Sequence, residues 1–128
     1  MSEEEKANIL ATFRSSLDSI FQEKLTLEKW QTKLKNFNVR VNMVALVGPN
    51  DKAYLHVIIE NGKITVDLGK LDDAEIEISA LFDTFFKISS LQVNPLKMLI
   101  TRKVKVKTSL KNLGKLLTVQ NLMIIEKT

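Results

Sequence analysis

The sequence predicts a single α+β domain over residues 1–128, in which a β-sheet is covered by helices. Three observations favour this class. Apolar residues recur every three or four positions near the start of the chain, as in an amphipathic helix. They then alternate with polar residues in several short segments, as in half-buried strands. Helical spacing returns after residue 80, so helices are available to cover one face of the sheet.

The composition is that of a globular domain with one core. The chain has 128 residues, of which 45% are hydrophobic and 27% are charged, and its net charge is +4. It contains no cysteine, which excludes disulfides and thiolate metal sites and permits a reducing compartment. No apolar run approaches the roughly 20 residues that a helix needs to cross a bilayer. We therefore expect a cytoplasmic protein.

Two helices are expected before the first strand. Ser2 and Glu5 have the spacing of a capping box, and apolar residues at helical steps then predict an amphipathic helix over residues 3–24. Thr26 is expected to cap a second, shorter helix that carries Trp30. We interpret this tryptophan as an anchor of the core or of a cavity, with a partner-binding hot spot as the alternative.

Four strands follow, and we expect them to run antiparallel. Each is a short segment in which apolar and polar residues alternate. Asn61-Gly62 is the strongest hairpin signal in the chain, because a tight type I′ turn needs positive φ at both positions. The predicted strands are residues 37–43, 53–60, 64–68 and 75–78, separated by turns at 48–51, 61–62 and 69–73.

Helical and strand patterns alternate in the C-terminal third. A helix is predicted over residues 81–90 with Ser79 as its N-cap, followed by a short helix that begins at Pro95. Residues 103–107 predict a fifth strand with valines on one face and lysines on the other. Residues 119–125 are apolar but poorly periodic, and either extend the last helix or form a separate tail. That helix is expected to start after Ser109 with four leucines on one face: Leu110, Leu113, Leu116 and Leu117.

No pattern typical of catalysis or metal binding is present. His56 is the one histidine and lies in mid-strand, where a zinc site would need several converging carboxylates. The pairs Asp72-Asp73 and Glu75/Glu77 carry acid–base groups, but they lie at a turn and on the wet face of the sheet. The chain has no Gly-rich phosphate loop and no nucleophile elbow. We expect neither an enzyme nor a cofactor or metal site.

Basic residues are concentrated towards the C-terminus. From Thr84 onward the chain has nine lysines or arginines and a single acidic residue. Arg102, Lys103, Lys105 and Lys107 predict transient contact with an anionic membrane surface. Nucleic acid is not expected, because valines rather than base-stacking aromatics separate these lysines. The simpler alternative is a solvated face that keeps the protein soluble.

The order of these segments resembles the sterol carrier protein type 2 family. The resemblance covers most of the chain and is most specific over residues 74–117. It rests on Glu75-Ile76-Glu77-Ile78-Ser79, the helix over 81–90, Asn94-Pro95, and Lys103-Val104-Lys105-Val106-Lys107 running into a Leu-rich helix.

The sequence departs from the family pattern at three loop positions. Leu91, Arg102 and Thr108 stand where the family usually has glycine, so we expect those loops to run differently. The peroxisomal tail of the eukaryotic carriers is absent. This favours a stand-alone member of prokaryotic type.

The resemblance implies a five-stranded, mainly antiparallel sheet covered by helices, with an apolar tunnel between them for sterols, fatty acids or fatty acyl chains. The implied function is non-catalytic binding and transfer of such a ligand. The alternative is an accessory or interaction module, beside a lipid- or quinone-related enzyme or in self-association, with a vestigial cavity. A second interpretation of the residues expected to line the tunnel is that they form an ordinary hydrophobic core, which holds no ligand. The residues expected to line the tunnel are Phe82, Phe85, Phe86, Leu91, Leu99, Leu113, Leu116, Leu117, Leu122 and Met123.

Overall fold

The computed structural model describes residues 3–48, 51–81 and 104–123. Helices α1 (Glu3–Lys24) and α2 (Glu28–Leu34) come first. Five strands follow: β1 (Asn38–Gly48), β2 (Asp51–Glu60), β3 (Lys63–Leu68), β4 (Ile76–Leu81) and β5 (Val104–Thr108). A 3₁₀ turn (Leu110–Asn112) leads into α3 (Leu113–Leu122). The capping box at Ser2 and the predicted helices within residues 82–100 lie outside the described residues.

The five strands form one sheet in the order β3-β2-β1-β4-β5. β1 pairs antiparallel with β2, β2 with β3, and β4 with β5, whereas β1 and β4 are parallel. The α+β class with a five-stranded, mainly antiparallel sheet is therefore confirmed. The prediction that the first four strands all run antiparallel is wrong for β1 and β4.

The parallel pair arises from the connection between β3 and β4. Residues 69–75 cross the open face of the sheet instead of turning back in a hairpin, so β4 enters beside β1 in the same direction. The Gly69 N–H donates to the Tyr54 carbonyl at 2.9 Å, and the Glu75 N–H donates to the Arg40 carbonyl at 2.9 Å. Between these two ends, the amide of Asn42 is hydrogen-bonded to the backbone of Leu71. We call residues 69–75 the crossover loop.

The core lies between the three helices and one face of the sheet. The strand register places Val41, Val57, Val66 and Ile76 in a single row across four strands, and all four are buried. Burial of each such side chain contributes about 1.5–3 kcal/mol. The helices contribute large apolar residues to the same core: Phe13, Leu17, Phe21, Trp30, Leu34, Leu116, Val119 and Leu122.

The N-terminal helix has the predicted bounds, residues 3–24. Three acidic residues in its first turn suit the positive end of the helix dipole. Its Lys6 ammonium donates a hydrogen bond to the Asp51 carboxylate, which raises the pKa of Lys6 above its ordinary value. Further along, Arg14 Nε donates to the Val66 carbonyl at 2.9 Å. These contacts fix the helix over β2 and β3.

Two predicted helix caps are wrong. Leu27, not Thr26, is the N-cap residue of α2, and the hydroxyl of Thr26 donates back to the Glu23 carbonyl at 2.6 Å. Ser79 lies within β4, which continues to Leu81, because its backbone is paired with Val44 of β1. A residue with a good capping side chain does not start a helix where a neighbouring strand already binds its backbone.

The Asn61-Gly62 hairpin is confirmed. These two residues join β2 to β3, with φ of 49° at Asn61 and 85° at Gly62. Positive φ at both positions is the geometry of a type I′ turn, whose twist matches that of the flanking strands. The turn sets the register that pairs Glu60 with Lys63. It thereby keeps Ile64 and Val66 of β3 on the core side.

Candidate functional site

The closing helix α3 carries apolar residues on two sides. Leu116, Val119 and Leu122 lie at helical spacing and are buried in the core, and Met123 at the C-cap is buried with them. Leu110, Leu113 and Leu117 lie on the other side and are 85%, 46% and 57% exposed, respectively. We call these three residues the leucine stripe.

The prediction that four leucines share one face of this helix is therefore wrong for Leu116. Of Leu110, Leu113, Leu116 and Leu117, Leu116 alone is buried. The buried side is completed instead by Val119, Leu122 and Met123, from the apolar segment after Thr118. Leu116, Val119 and Met123 recur at steps of three and four, so the signal was present in the sequence but was masked by the more regular leucines.

Polar contacts at both ends fix the orientation of α3. Near its start, Lys115 Nζ donates to Glu75 Oε2 at 2.8 Å. Near its end, Lys24 Nζ of α1 donates to the Asn121 carbonyl at 3.2 Å. Lys24 also lies 5.3 Å from the centre of the Trp30 ring, which is itself buried in the core. Trp30 is thus a core anchor, as predicted.

The predicted lining residues fall into three groups. Leu116, Leu122 and Met123 are buried against the sheet and α1. Leu113 and Leu117 belong to the leucine stripe. The remaining five lie outside the described residues: Phe82, Phe85, Phe86, Leu91 and Leu99. The buried and the exposed groups lie on opposite sides of one helix.

An open cleft of about 560 Å³ lies on the face of the sheet opposite the core. The crossover loop forms one wall, and β4 and β5 with the residues that flank them form the other. Its lining is mostly polar or charged and includes Lys70, Asp72, Glu75, Glu77 and Lys107. A cleft of this polarity does not suit an alkyl chain, and it is distinct from the predicted apolar tunnel.

The acidic pair Glu75/Glu77 borders this cleft. Glu75 is bound by Lys115, and Glu77 stands opposite Lys107 in the pairing of β4 with β5. His56 Nδ1 is 3.1 Å from the Gly69 carbonyl, so it helps to hold the crossover loop. Glu75 and His56 are thus engaged in contacts that hold the fold together.

Strand β5 shows the predicted alternation of exposed lysines and inward-facing valine over its described residues. Lys105 and Lys107 are exposed on β5, whereas Val106 between them packs against the core. Thr108, where the resemblance leads us to expect glycine, has no positive φ, and its hydroxyl donates to the Glu75 carbonyl at 3.0 Å. Arg102 and Lys103 lie outside the described residues.

Two negative findings apply to the described part of the chain. None of its helices is both long enough and apolar enough to span a bilayer. No group of three or more His, Cys, Asp or Glu side chains in residues 3–48, 51–81 and 104–123 is arranged to hold a metal ion.

A mixed five-stranded sheet with helices packed on one face is the architecture of a small α+β domain. The model of the SCP-2 sterol transfer family matches residues 17–123 of this chain. The chain belongs to that family. A comparison with curated protein sequences finds no match.

Solved structures of sterol carrier proteins share the fold. Sterol carrier protein 2 from Yarrowia lipolytica (apo form) aligns with a TM-score of 0.65 at 16% identity, over 87% of this chain and 86% of that one. Sterol carrier protein domain 2 of Helicoverpa armigera aligns with a TM-score of 0.66 at 15% identity, over 88% and 87%. A structure described as UbiJ-SCP2, a ubiquinone synthesis protein, aligns with a TM-score of 0.62 at 13% identity, over 92% and 97%.

Proposed function

We propose that this protein binds a lipid-like molecule, such as a sterol, a fatty acid or a fatty acyl chain, and transfers it without catalysing a reaction. The observation that carries the proposal is the match of the SCP-2 sterol transfer family model to residues 17–123. The apolar residues on both sides of α3 support it, because Leu113 and Leu117 stay exposed after Leu116, Val119 and Leu122 have packed in the core.

The ligand would lie between the sheet and the helices. Leu116, Leu122 and Met123 would contact it from the buried side of α3. Leu113 and Leu117, on the exposed side, would contact only a part of the ligand that extends out of the core and around this helix. Phe82, Phe85, Phe86, Leu91 and Leu99 would supply the remaining apolar lining. Each methylene group that leaves water contributes about 0.8 kcal/mol to binding. Apolar walls discriminate weakly between chains of similar length, so we expect a broad choice of ligands.

Ligand uptake can be measured directly. The protein purified from cells should carry a lipid-sized mass in native mass spectrometry, or take up one fatty acid or acyl-CoA analogue when it is added. Leu116→Trp should weaken uptake by about tenfold or more, because the larger ring fills space that the alkyl chain needs. Leu68→Trp, on the exposed edge strand β3, is the matched control and should bind as the wild type does.

Circular dichroism and thermal unfolding of both variants separate loss of binding from loss of fold. Overpacking a filled core costs about 1–3 kcal/mol. A folded wild-type protein that is free of ligand as purified and takes up no fatty acid, acyl-CoA analogue or sterol would contradict the carrier proposal.

An accessory role is the second candidate function. The similarity to a structure described as a ubiquinone synthesis protein, over 92% of this chain, favours it. In that case the protein would assemble with a lipid- or quinone-related enzyme or with itself, and the cavity would be vestigial. The same purification should then yield a fixed protein partner without a ligand, and Leu116→Trp should leave that association intact.

Contact with an anionic membrane surface is part of the carrier proposal. It would involve Arg102, Lys103, Lys105 and Lys107, of which Lys105 and Lys107 are exposed on β5. A carrier has to meet the membranes between which it moves its ligand. Favourable charge on the contact surface accelerates such encounters.

A further inference from the structure

Strand β3 is an outermost strand of the sheet that the structure describes, and its hairpin shows which backbone groups face outward. A two-residue turn makes the flanking residues Glu60 and Lys63 a hydrogen-bonded pair, and such pairs alternate along an antiparallel ladder. The N–H and C=O groups of Ile64, Val66 and Leu68 therefore point away from β2, towards the edge of the sheet. An edge of this kind is a surface on which another strand can pair.

Side chains of α1 occupy two of these edge carbonyls. Arg14 Nε donates to the Val66 carbonyl at 2.9 Å, and Gln22 Nε2 donates to the Ile64 carbonyl at 3.4 Å. Gln22 follows Arg14 by about two helical turns, so both side chains reach the same edge. The helix thus binds the backbone of the strand in addition to packing against its apolar side chains.

The Arg14 side chain reaches around the edge from one face of the sheet to the other. α1 packs on the core face, where Leu17 is buried. Asp67 points to the opposite face, because its neighbour Val66 is buried on the core side. Arg14 Nε is nevertheless 3.7 Å from Asp67 Oδ1, which also accepts the Leu68 N–H at 2.8 Å. The guanidinium group therefore covers the edge itself.

The sequence of β3 is complementary to itself in antiparallel pairing. With Thr65 opposite Thr65 of a second copy, Ile64 pairs with Val66, and Lys63 stands opposite Asp67, so that opposite charges attract. The apolar side chains of both copies would stay on the core face. Such a pair is two-fold symmetric and continues the sheet from one copy into the next. Its backbone hydrogen bonds need the two edge carbonyls that α1 occupies.

We propose that α1 blocks the β3 edge and thereby prevents a second copy of this chain from pairing there. Arg14 and Gln22 bind the carbonyls that the second strand would use, and the Arg14 guanidinium fills the space that it would enter. The inference concerns the association state and does not rest on the carrier function proposed above. Self-association under the accessory alternative would have to use another surface of the folded chain.

Removal of the two donors tests the proposal. Arg14→Ala/Gln22→Ala should lower the dissociation constant of the dimer by about tenfold or more, because both edge carbonyls become available to a second strand. Lys35→Ala/Asn36→Ala removes one cation and one amide from exposed positions after α2 and is the matched control. Sedimentation equilibrium at several concentrations compares these variants with the wild type, and circular dichroism shows whether they are folded.

A single introduced thiol identifies the surface that pairs. The chain has no cysteine, and in the proposed dimer residue 65 of one copy lies directly opposite residue 65 of the other, within the range of a disulfide. In the Arg14→Ala/Gln22→Ala background, Thr65→Cys should cross-link about tenfold faster than the exposed control Thr32→Cys under oxidation with copper phenanthroline. With wild-type α1, the two variants should cross-link at similar rates.

Three results would overturn the proposal. The first is a folded Arg14→Ala/Gln22→Ala variant that associates no more than its control. The second is association without faster cross-linking at residue 65, because the contact would then lie on another surface. The third is faster cross-linking of Thr65→Cys than of Thr32→Cys with wild-type α1, because the edge would then already be open. Arg14→Ala alone replaces the double variant if the latter does not fold.

Discussion

Asn42 shows how a single buried polar residue determines the path of the chain. Its side chain is 3% exposed. Its amide Nδ2 donates to the Leu71 carbonyl at 2.8 Å, and its Oδ1 accepts from the Leu71 N–H at 2.8 Å. Both polar groups of Leu71 are thus bound by one side chain in the middle of the sheet. This reciprocal pair holds the crossover loop against β1, and the loop in turn delivers β4 to its parallel position.

Replacing this side chain should destabilise the fold. Asn42→Ala leaves both Leu71 groups without their partner, so we expect the free energy of unfolding to fall by about 1–3 kcal/mol. Asn38→Ala, at an exposed position on the same strand, is the control and should change it by no more than about 0.5 kcal/mol. Urea unfolding followed by circular dichroism measures both. Equal effects of the two substitutions would show that the Asn42–Leu71 pair does not hold the loop.

Two glycines differ in whether the fold requires them: Gly62 in the β2–β3 turn and Gly114 in α3. Gly62 has φ of 85° in the β2–β3 turn, a conformation that side chains with a Cβ disfavour. Gly114 lies in the first turn of α3, where an added methyl group would meet no atom within 4 Å. The hairpin therefore needs its glycine, whereas the helix only tolerates one.

Substituting alanine at each position should change stability in opposite directions. Gly62→Ala should lower the free energy of unfolding by about 1–2 kcal/mol. Gly114→Ala should raise it by about 0.4–1 kcal/mol, since alanine loses less backbone entropy on folding into the helix. Thermal and urea unfolding of the two variants provide the comparison. A destabilising Gly114→Ala would contradict the open space beside α3.

On the scale of the whole molecule, one core joins the sheet to α1, α2 and α3. Buried residues of α1, α2 and α3 belong to the same cluster as those of the strands. The opposite face of the sheet carries the crossover loop and the polar cleft. A ligand held between the sheet and the helices would therefore contact elements from both ends of the chain. Its binding should be coupled to global unfolding.

This coupling predicts a ligand-dependent melting temperature. A fatty acid present at about a hundred times its dissociation constant should raise the free energy of unfolding by about 2.7 kcal/mol, provided that the unfolded chain does not bind it. Differential scanning calorimetry with and without palmitate measures the shift, and Leu116→Trp should show little of it. Tight binding without any shift would indicate that the ligand sits outside the folded core.

The sequence by itself determined the type of most elements. Periodicity over a few residues predicted α1 with its bounds, the alternating burial of the strands and the Asn61-Gly62 hairpin, because backbone geometry and side-chain direction are local properties. The same patterns carried the resemblance that the family match confirmed.

Only the tertiary structure decided how those elements meet. The parallel pairing of β1 with β4 depends on Asn42 and Leu71, which are 29 residues apart in the chain. The buried side of α3 depends on packing against α1 and the sheet, so Leu116 turns inward while Leu113 and Leu117, equally apolar, face outward. When a helix has apolar residues on two sides, its own sequence does not determine which side is buried. Contacts with distant parts of the chain determine it.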